Sequence, residues 1–309
     1  MVIEASSPPE PNSETNPALS SVRIVLVAPA GPLNVGSTAR VMKNFGLSQL
    51  ILVSPQCDLA SDEALQMAVH AKDVLTAAQR VDTIPEALVG CHLAIATTAR
   101  ARGFNAPLEL PENALPSLIN SSVETCGDTA LLFGPEDRGL SNEELSYAQR
   151  FIQIPTSPDY SALNLAQAVA VCCYELYRAY RDVGKRASMR LAPTDAAGEL
   201  QQSMPAALRL DPLSGKQSNA VLNKAPLDEL ERYYQHLERV LLKVEYLYPH
   251  TAASRMRKLR QLLHRAAPSA NEVALLRGIL RQMEWALSAS KPDSKPNSKP
   301  DPKPDPKPD

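Results

Sequence analysis

The stretch RIVLVAPAGPLNVGSTARVMKNFGLSQLILV, residues 23–53, decides the fold. Arg23–Ala28 is a short apolar run of β-formers, the composition of a buried strand. A loop with Pro29, Gly31 and Pro32 follows. Residues 36–45 have helical spacing, and Gly46 is placed to close the helix. Gln49–Val53 is the next strand. Strand, helix and strand in this order form a βαβ unit, which requires parallel pairing and a right-handed crossover.

The alternation continues outward. It predicts a helix near 61–75, a strand near 92–97, a helix near 111–120 and a strand over 129–133. A helix from Ser141, a strand over 150–154 and a long helix from about 161 to 181 complete it. This is the pattern of an α/β domain with a largely parallel sheet, spanning 22–183. Residues 184–225, rich in Ala, Gly, Ser, Pro and Gln, read as a linker. Residues 226–289 carry apolar stripes at helical spacing and read as a small all-helical domain of about three helices. One stripe runs through Leu230, Tyr233, Tyr234, Leu237, Val240 and Leu241. Residues 1–21 read as a disordered leader, and 290–309 as an extended Lys/Pro/Asp tail.

With 309 residues, 44% of them hydrophobic, the chain can bury a sizeable core. A net charge of −2 excludes a molecule that is basic throughout, so any nucleic-acid contact must come from local patches. The sequence has no apolar run long enough to span a membrane and no apolar signal core, so a cytoplasmic protein is expected. Cys57, Cys91, Cys126, Cys172 and Cys173 are odd in number and scattered, as suits reduced thiols. They lack metal-ligand spacing, and no metal site is expected.

Three loops fall at the C-terminal ends of expected strands, where open α/β sheets bind ligands. The first, residues 29–40, contains neither GxGxxG nor a P-loop ending, so a dinucleotide or triphosphate site is poorly supported. On spacing alone Asn34 is a helix cap, and Arg40, about a turn in, is a surface arginine. The second, FGPEDRGLS at 133–141, is a glycine-bounded loop in which Ser141 and Glu144 form a capping box. That accounts for Ser141 but not for Glu136, Asp137 and Arg138. The third, residues 154–167, holds Ser161 as a helix cap and Asn164 in the first helical turn.

Together, Asn34-x-Gly36-x-x-x-Arg40, FGPEDRGLS and Ile-Pro followed by LNLAQAVAV at 163–171 resemble the three ordered motifs of the SpoU branch of the SPOUT methyltransferases. The match covers about residues 22–181. Within the branch, Asn142–Leu145, Asp159–Ser161, Leu230–Glu238 and Leu276–Leu280 resemble the TrmJ-type tRNA (cytidine/uridine-2'-O-)-methyltransferases.

The resemblance implies a parallel sheet with a deep C-terminal trefoil knot, where spacing alone reads as an ordinary doubly wound fold. It implies S-adenosylmethionine as methyl donor, held by Thr97, Thr98, Ala99, Gly134, Ile154, Ser161, Ala162 and Leu163. It implies a homodimer with both chains contributing to each active site. The substrate would be tRNA, with cytidine or uridine at the first nucleotide of the anticodon loop (position 32) receiving the methyl group. The catalytic group would be Arg40 with Asn34, Glu136, Asn164 and Ser161. A guanidinium has a pKa above about 12 and does not act as a base, so Arg40 is expected to stabilise the developing alkoxide and grip a phosphate. Glu136 or a phosphate oxygen would then take the proton. One departure is that the branch commonly has Ser-Leu-Asn where this chain has Ala162-Leu163-Asn164.

Arg255, Arg257, Lys258, Arg260 and Arg265 form a cationic run with no acidic residue between Tyr246 and Asn271. This run, extended by Arg23, Arg100 and Arg102, is the candidate RNA surface. The alternatives are a ribosomal RNA 2'-O-methyltransferase, a non-catalytic RNA-binding protein of the same fold, and a nucleotide-dependent dehydrogenase.

Overall fold

The computed structural model describes residues 17–99, 107–125, 127–160, 162–191 and 224–289. Seven strands form one sheet: β1 Val22–Val27, β2 Gln49–Val53, β3 Gln79–Val81, β4 Cys91–Thr97, β5 Leu108–Glu109, β6 Asp128–Phe133 and β7 Arg150–Ile152. Their order is β3-β2-β1-β6-β4-β7-β5, and every pairing is parallel. β3 and β5 escape sequence reading, because one is mostly exposed and the other has two residues.

The period of two along β1 and β6 sends alternate residues to two separate cores. Ile24, Leu26, Leu131 and Phe133 face one side. There they meet α2 (Pro32–Asn44), α3 (Asp62–Ala68), α4 (Lys72–Thr76), α7 (Pro116–Thr125) and α9 (Leu165–Leu191). Val25, Val27, Ala130 and Leu132 face the other. Burial on both faces explains the unbroken apolar runs. Gly36 in α2 is a packing residue, since a Cβ there would lie 2.2 Å from the carbonyl oxygen of Ala64 in α3.

The second face is covered by α5 (Ile84–Ala87), α8 (Asn142–Leu145) and three long C-terminal helices: α10 (Leu227–Lys243), α11 (Pro249–Ala266) and α12 (Ala270–Ala289). Leu230, Tyr233 and Tyr234 of α10 share a core with the sheet. The helical unit therefore completes the α/β core as well as extending it. Part of its apolar spacing faces solvent instead, as Leu262, Leu275 and Ile279 are all more than half exposed.

Several expected boundaries move. The expected leader reaches too far, because α1 (Pro17–Ser20) forms a turn whose Leu19 is buried in the core. α2 begins at Pro32, whose fixed φ suits a first helical position, rather than at residue 36. Phe45 caps it and Gly46 follows with φ +74°. The helix expected at 61–75 is two, α3 and α4. The one near 111–120 is α6 (Pro111–Ala114) followed by α7. α9 starts after Asn164, not at Ser161, and runs to Leu191 into the expected linker, since one glycine among helix formers costs only about 1 kcal/mol.

The exit of β7 is flanked by both ends of the β4–β5 connection. The amide of Thr98 donates to the Ile152 carbonyl, the Gln153 side chain donates to the Ala99 carbonyl, and the Gln153 amide donates to the Glu109 carbonyl.

Candidate active site

All three motif loops lie at the C-terminal edge of the sheet, after β1, β6 and β7. They are joined by one hydrogen-bond relay. Asn164 Nδ2 donates to Asn34 Oδ1 at 2.9 Å, and Asn34 Nδ2 donates to Glu136 Oε1 at 2.7 Å. The amides of Ala30 and Gly31 donate to Glu136 at 3.2 and 3.3 Å. Asn164 is itself fixed as the cap of α9, its Oδ1 accepting from the Ala166 amide while its own amide donates to Gln167. Burial works to raise the Glu136 pKa, but the bonds from Asn34 and from backbone amides outweigh it and hold the carboxyl below its usual range.

The second loop doubles back on itself. The Gly139 amide donates to the Pro135 carbonyl, and Gly139 has φ +66°. A Cβ on Gly134 would stand 2.2 Å from the Leu140 amide nitrogen, so only glycine closes the loop. Arg138 is held by a two-pronged ion pair to Glu144, 2.8 and 2.9 Å, and Glu144 completes the expected capping box with Ser141.

Between these loops lies a cavity of about 300 Å³. Thr97, Thr98 and Ala99 form one wall, Gly134 to Leu140 a second, and Ile154, Ala162, Leu163, Leu165 and Ala168 a third. Every donor-binding residue expected from the sequence and lying within the described residues lines this space. Ser161 lies outside the described residues, as do Arg100 and Arg102. Sequence reading missed the contribution of Phe133, Leu140, Leu165 and Ala168, although all lie inside motifs already singled out.

Arg40 is not brought to this cavity. It is exposed and makes no hydrogen bond or ion pair among the described residues. It lies six residues beyond Asn34, about 9 Å along α2 and roughly 240° around it, not about one turn into the helix as expected.

Two expected RNA contacts are structural. Arg23 sits at the opposite, N-terminal edge of the sheet, paired with Asp128 and donating to the Ala87 and Val89 carbonyls. Arg260 is paired with Glu231, with the two side chains 13% and 12% exposed, and lies between the rings of Tyr234 and Tyr147. Their partners lie far away in sequence, which is why both passed for free cations. Arg255, Lys258 and Arg265 remain on the surface of α11, and Arg257 is half-buried.

The parallel sheet and the loop-lined cavity at its C-terminal edge define an α/β enzyme of the methylase class. Residues 21–174 match the SpoU rRNA Methylase family model, and residues 228–294 match that of the tRNA methyltransferase TrmJ C-terminal domain. The tRNA (cytidine/uridine/adenosine-2'-O-)-methyltransferase TrmJ of Pseudomonas aeruginosa (strain UCBPP-PA14) is 38% identical over 268 residues, 86% of this chain and 95% of the relative. The tRNA (cytidine/uridine-2'-O-)-methyltransferase TrmJ of Cronobacter sakazakii (strain ATCC BAA-894) is 37% identical, over 86% of this chain and 97% of its own. The crystal structure of TrmJ from Z. mobilis ZM4 superposes with a TM-score of 0.66 at 32% identity, covering 85% of this chain and 98% of that one. The chain belongs to the TrmJ family of SpoU methylases. The parallel sheet with C-terminal helices is the fold class of that family, and the family implies a knotted C-terminal segment.

Proposed function

We propose that the chain transfers a methyl group from S-adenosylmethionine to the ribose 2'-hydroxyl of a tRNA nucleotide, a cytidine or uridine at the start of the anticodon loop. The observation that carries this reading is the cavity closed by the Asn164–Asn34–Glu136 relay. Among the described residues its one cationic lining side chain, Arg138, is paired with Glu144, which does not favour a polyphosphate. The carboxylates of Glu136 and Asp137, a partly apolar wall and the Gly134 backbone suit an uncharged nucleoside bearing a cationic group. Names of relatives support tRNA as substrate. Absence of a helix long and apolar enough to cross a membrane, among the described residues, is compatible with work in the cytoplasm.

The bound donor supplies a methyl group on a positively charged sulfur. Thr97, Thr98, Ala99, Gly134, Ile154, Ala162 and Leu163, with Ser161, would hold it. Glu136 has three donors on its two oxygens, so we assign it to positioning the first loop and not to proton removal. The hydroxyl proton would pass to water or to a phosphate oxygen of the RNA while the ribose oxygen takes the methyl carbon and the sulfur–carbon bond breaks, leaving the donor as a neutral thioether. Arg40 stabilises the developing charge and grips the adjacent phosphate. Because Arg40 is exposed and does not line its own cavity, it serves the cavity of a second copy, and the enzyme works as a homodimer across the α2 and α9 face. The catalytic unit runs from α1 through α9, residues 17–191, and the tRNA-binding extension is 226–289.

The test mixes two inactive variants, Arg40→Ala and Gly134→Val, and follows labelled methyl transfer to tRNA. Activity returning on mixing supports composite sites, and mixtures as inactive as their components refute them. Ribosomal RNA, named in the family model, is the alternative substrate. Nucleoside mass spectrometry of both RNA pools from a deletion strain separates the two.

A further inference from the structure

The turn between α10 and α11 carries aromatic rings that no part of the fold uses. Leu247 is buried, 1% exposed, and the amides of Tyr246 and Leu247 both donate to the Leu241 carbonyl. Glu245, at φ +58°, reverses the chain just before it. The anchored leucine leaves its two neighbours on the outer side, with Tyr246 58% and Tyr248 51% exposed. The exposed ring of His250 lies 6.0 Å from that of Tyr248 with only 20° between their planes. Arg255 donates to the Tyr246 carbonyl at 2.7 Å, which fixes its guanidinium 5.5 Å from the Tyr246 ring centre.

From Arg255 a cationic row runs along the exposed side of α11 through Lys258 to Arg265, about 15 Å of helix. Among the described residues none of the three makes an ion pair, in contrast to Arg260 on the inner side of the same helix. No carboxylate occurs between Tyr246 and Asn271. Rings more than half exposed, one of them capped by a guanidinium, beside a row of cations with no ion pair among the described residues, form the chemistry of a single-stranded nucleic-acid surface. Bases stack on the rings while phosphates follow the charges.

We propose that Tyr246, Tyr248 and His250 form a nucleobase-stacking platform for unpaired nucleotides of the substrate RNA, with Arg255, Lys258 and Arg265 holding its backbone. This rests on the reading of the chain as a tRNA methyltransferase and names where unpaired bases are held outside the methyl-donor cavity.

The experiment measures tRNA affinity of the full-length protein over a range of salt concentrations. Tyr246→Ala with Tyr248→Ala weakens binding roughly tenfold for each base stacked, without changing the slope of log affinity against log salt. Tyr246→Phe with Tyr248→Phe binds as wild type. Lys258→Ala with Arg265→Ala lowers the salt slope. An anticodon stem-loop competes with tRNA for the wild-type protein, and a blunt duplex of equal length does not. Donor affinity, read by calorimetry, is the same in every variant. Three results overturn the platform: alanine variants that bind tRNA like wild type, phenylalanine variants as weak as the alanine ones, or a duplex that competes equally. The first of these, in a wild type that does methylate tRNA, marks the rings as a surface for something other than RNA. A wild type that methylates no tRNA defeats the functional reading itself, and the platform with it.

Discussion

Replacing Arg260 by alanine is expected to be among the most destabilising single changes in the helical unit. The guanidinium bonds Glu231 at 2.5 and 2.9 Å and lies 4.5 Å from the ring centre of Tyr234 and 5.1 Å from that of Tyr147. Tyr147 follows α8, so one side chain fastens α11 to α10 and both to the methylase domain. Truncation leaves the Glu231 carboxylate buried without its partner, which costs about 3–5 kcal/mol. The lost ring contacts are part of that figure and do not add to it independently. At about 2–4 °C per kcal/mol for a chain of this size class, Tm falls by roughly 6–20 °C. Circular dichroism and scanning fluorimetry measure this. The companion Arg260→Met, Glu231→Leu removes both charges and fills the space, so it recovers most of the loss. A shift below about 2 °C for Arg260→Ala, or a double variant as unstable as the single one, refutes the reasoning. Neither variant changes the salt dependence of tRNA binding by one phosphate contact, because Arg260 does not face solvent.

Three other outcomes follow from the same structure. Burial, helped by the Arg260 charge, pushes the pKa of His264 down from the ordinary imidazole value of about 6.5 to about 4. The stability gained from keeping this ring neutral is complete above pH 6.5 and is lost as pH falls toward 4. Thermal melts between pH 7.5 and 4.5 should therefore slope downward on the acid side, and His264→Phe should flatten them. Gly134→Ala puts a Cβ 2.2 Å from the Leu140 amide and 2.4 Å from the Gly139 carbonyl carbon, so the loop must open. Calorimetry should find donor affinity reduced at least about tenfold, a cost on the order of 1.4 kcal/mol. Glu136→Gln should lower kcat yet leave the shape of the pH–rate profile unchanged, and the disappearance of an acid limb would instead identify Glu136 as the base.

Much of this architecture was legible because it depends on near neighbours. β1, β2, β4 and β6 announce themselves as apolar runs, and the Ser141–Glu144 capping box spans three residues. What could not be read depends on partners far apart in the chain. The Asn34–Glu136 bond joins residues 102 apart, and the Asn164–Asn34 bond residues 130 apart. Sequence reading gathered all three as chemistry, and in the structure Asn34 is hydrogen-bonded to both of the others. Arg23 and Arg260 looked like surface charges because Asp128 and Glu231 were not visible as their partners. β3 has no apolar run to announce it, since it is recruited by hydrogen bonds at the sheet edge. The start of α9 was misplaced because Ser161 and Asn164 are both good caps, and only the bond to Asn34 selects the second.

The cavity wall after β7 also sets when the protein can first work. A growing chain that has reached Ile152 contains every strand of the sheet. It still lacks Ile154, Ala162, Leu163, Leu165 and Ala168, and Asn34 has nothing from α9 to hold it. The methyl donor therefore cannot act as an early template during synthesis, when domains fold from the N-terminus onward. Donor binding reports that the last loop has arrived, so a product truncated before α9 is expected to be inert toward the donor from the start.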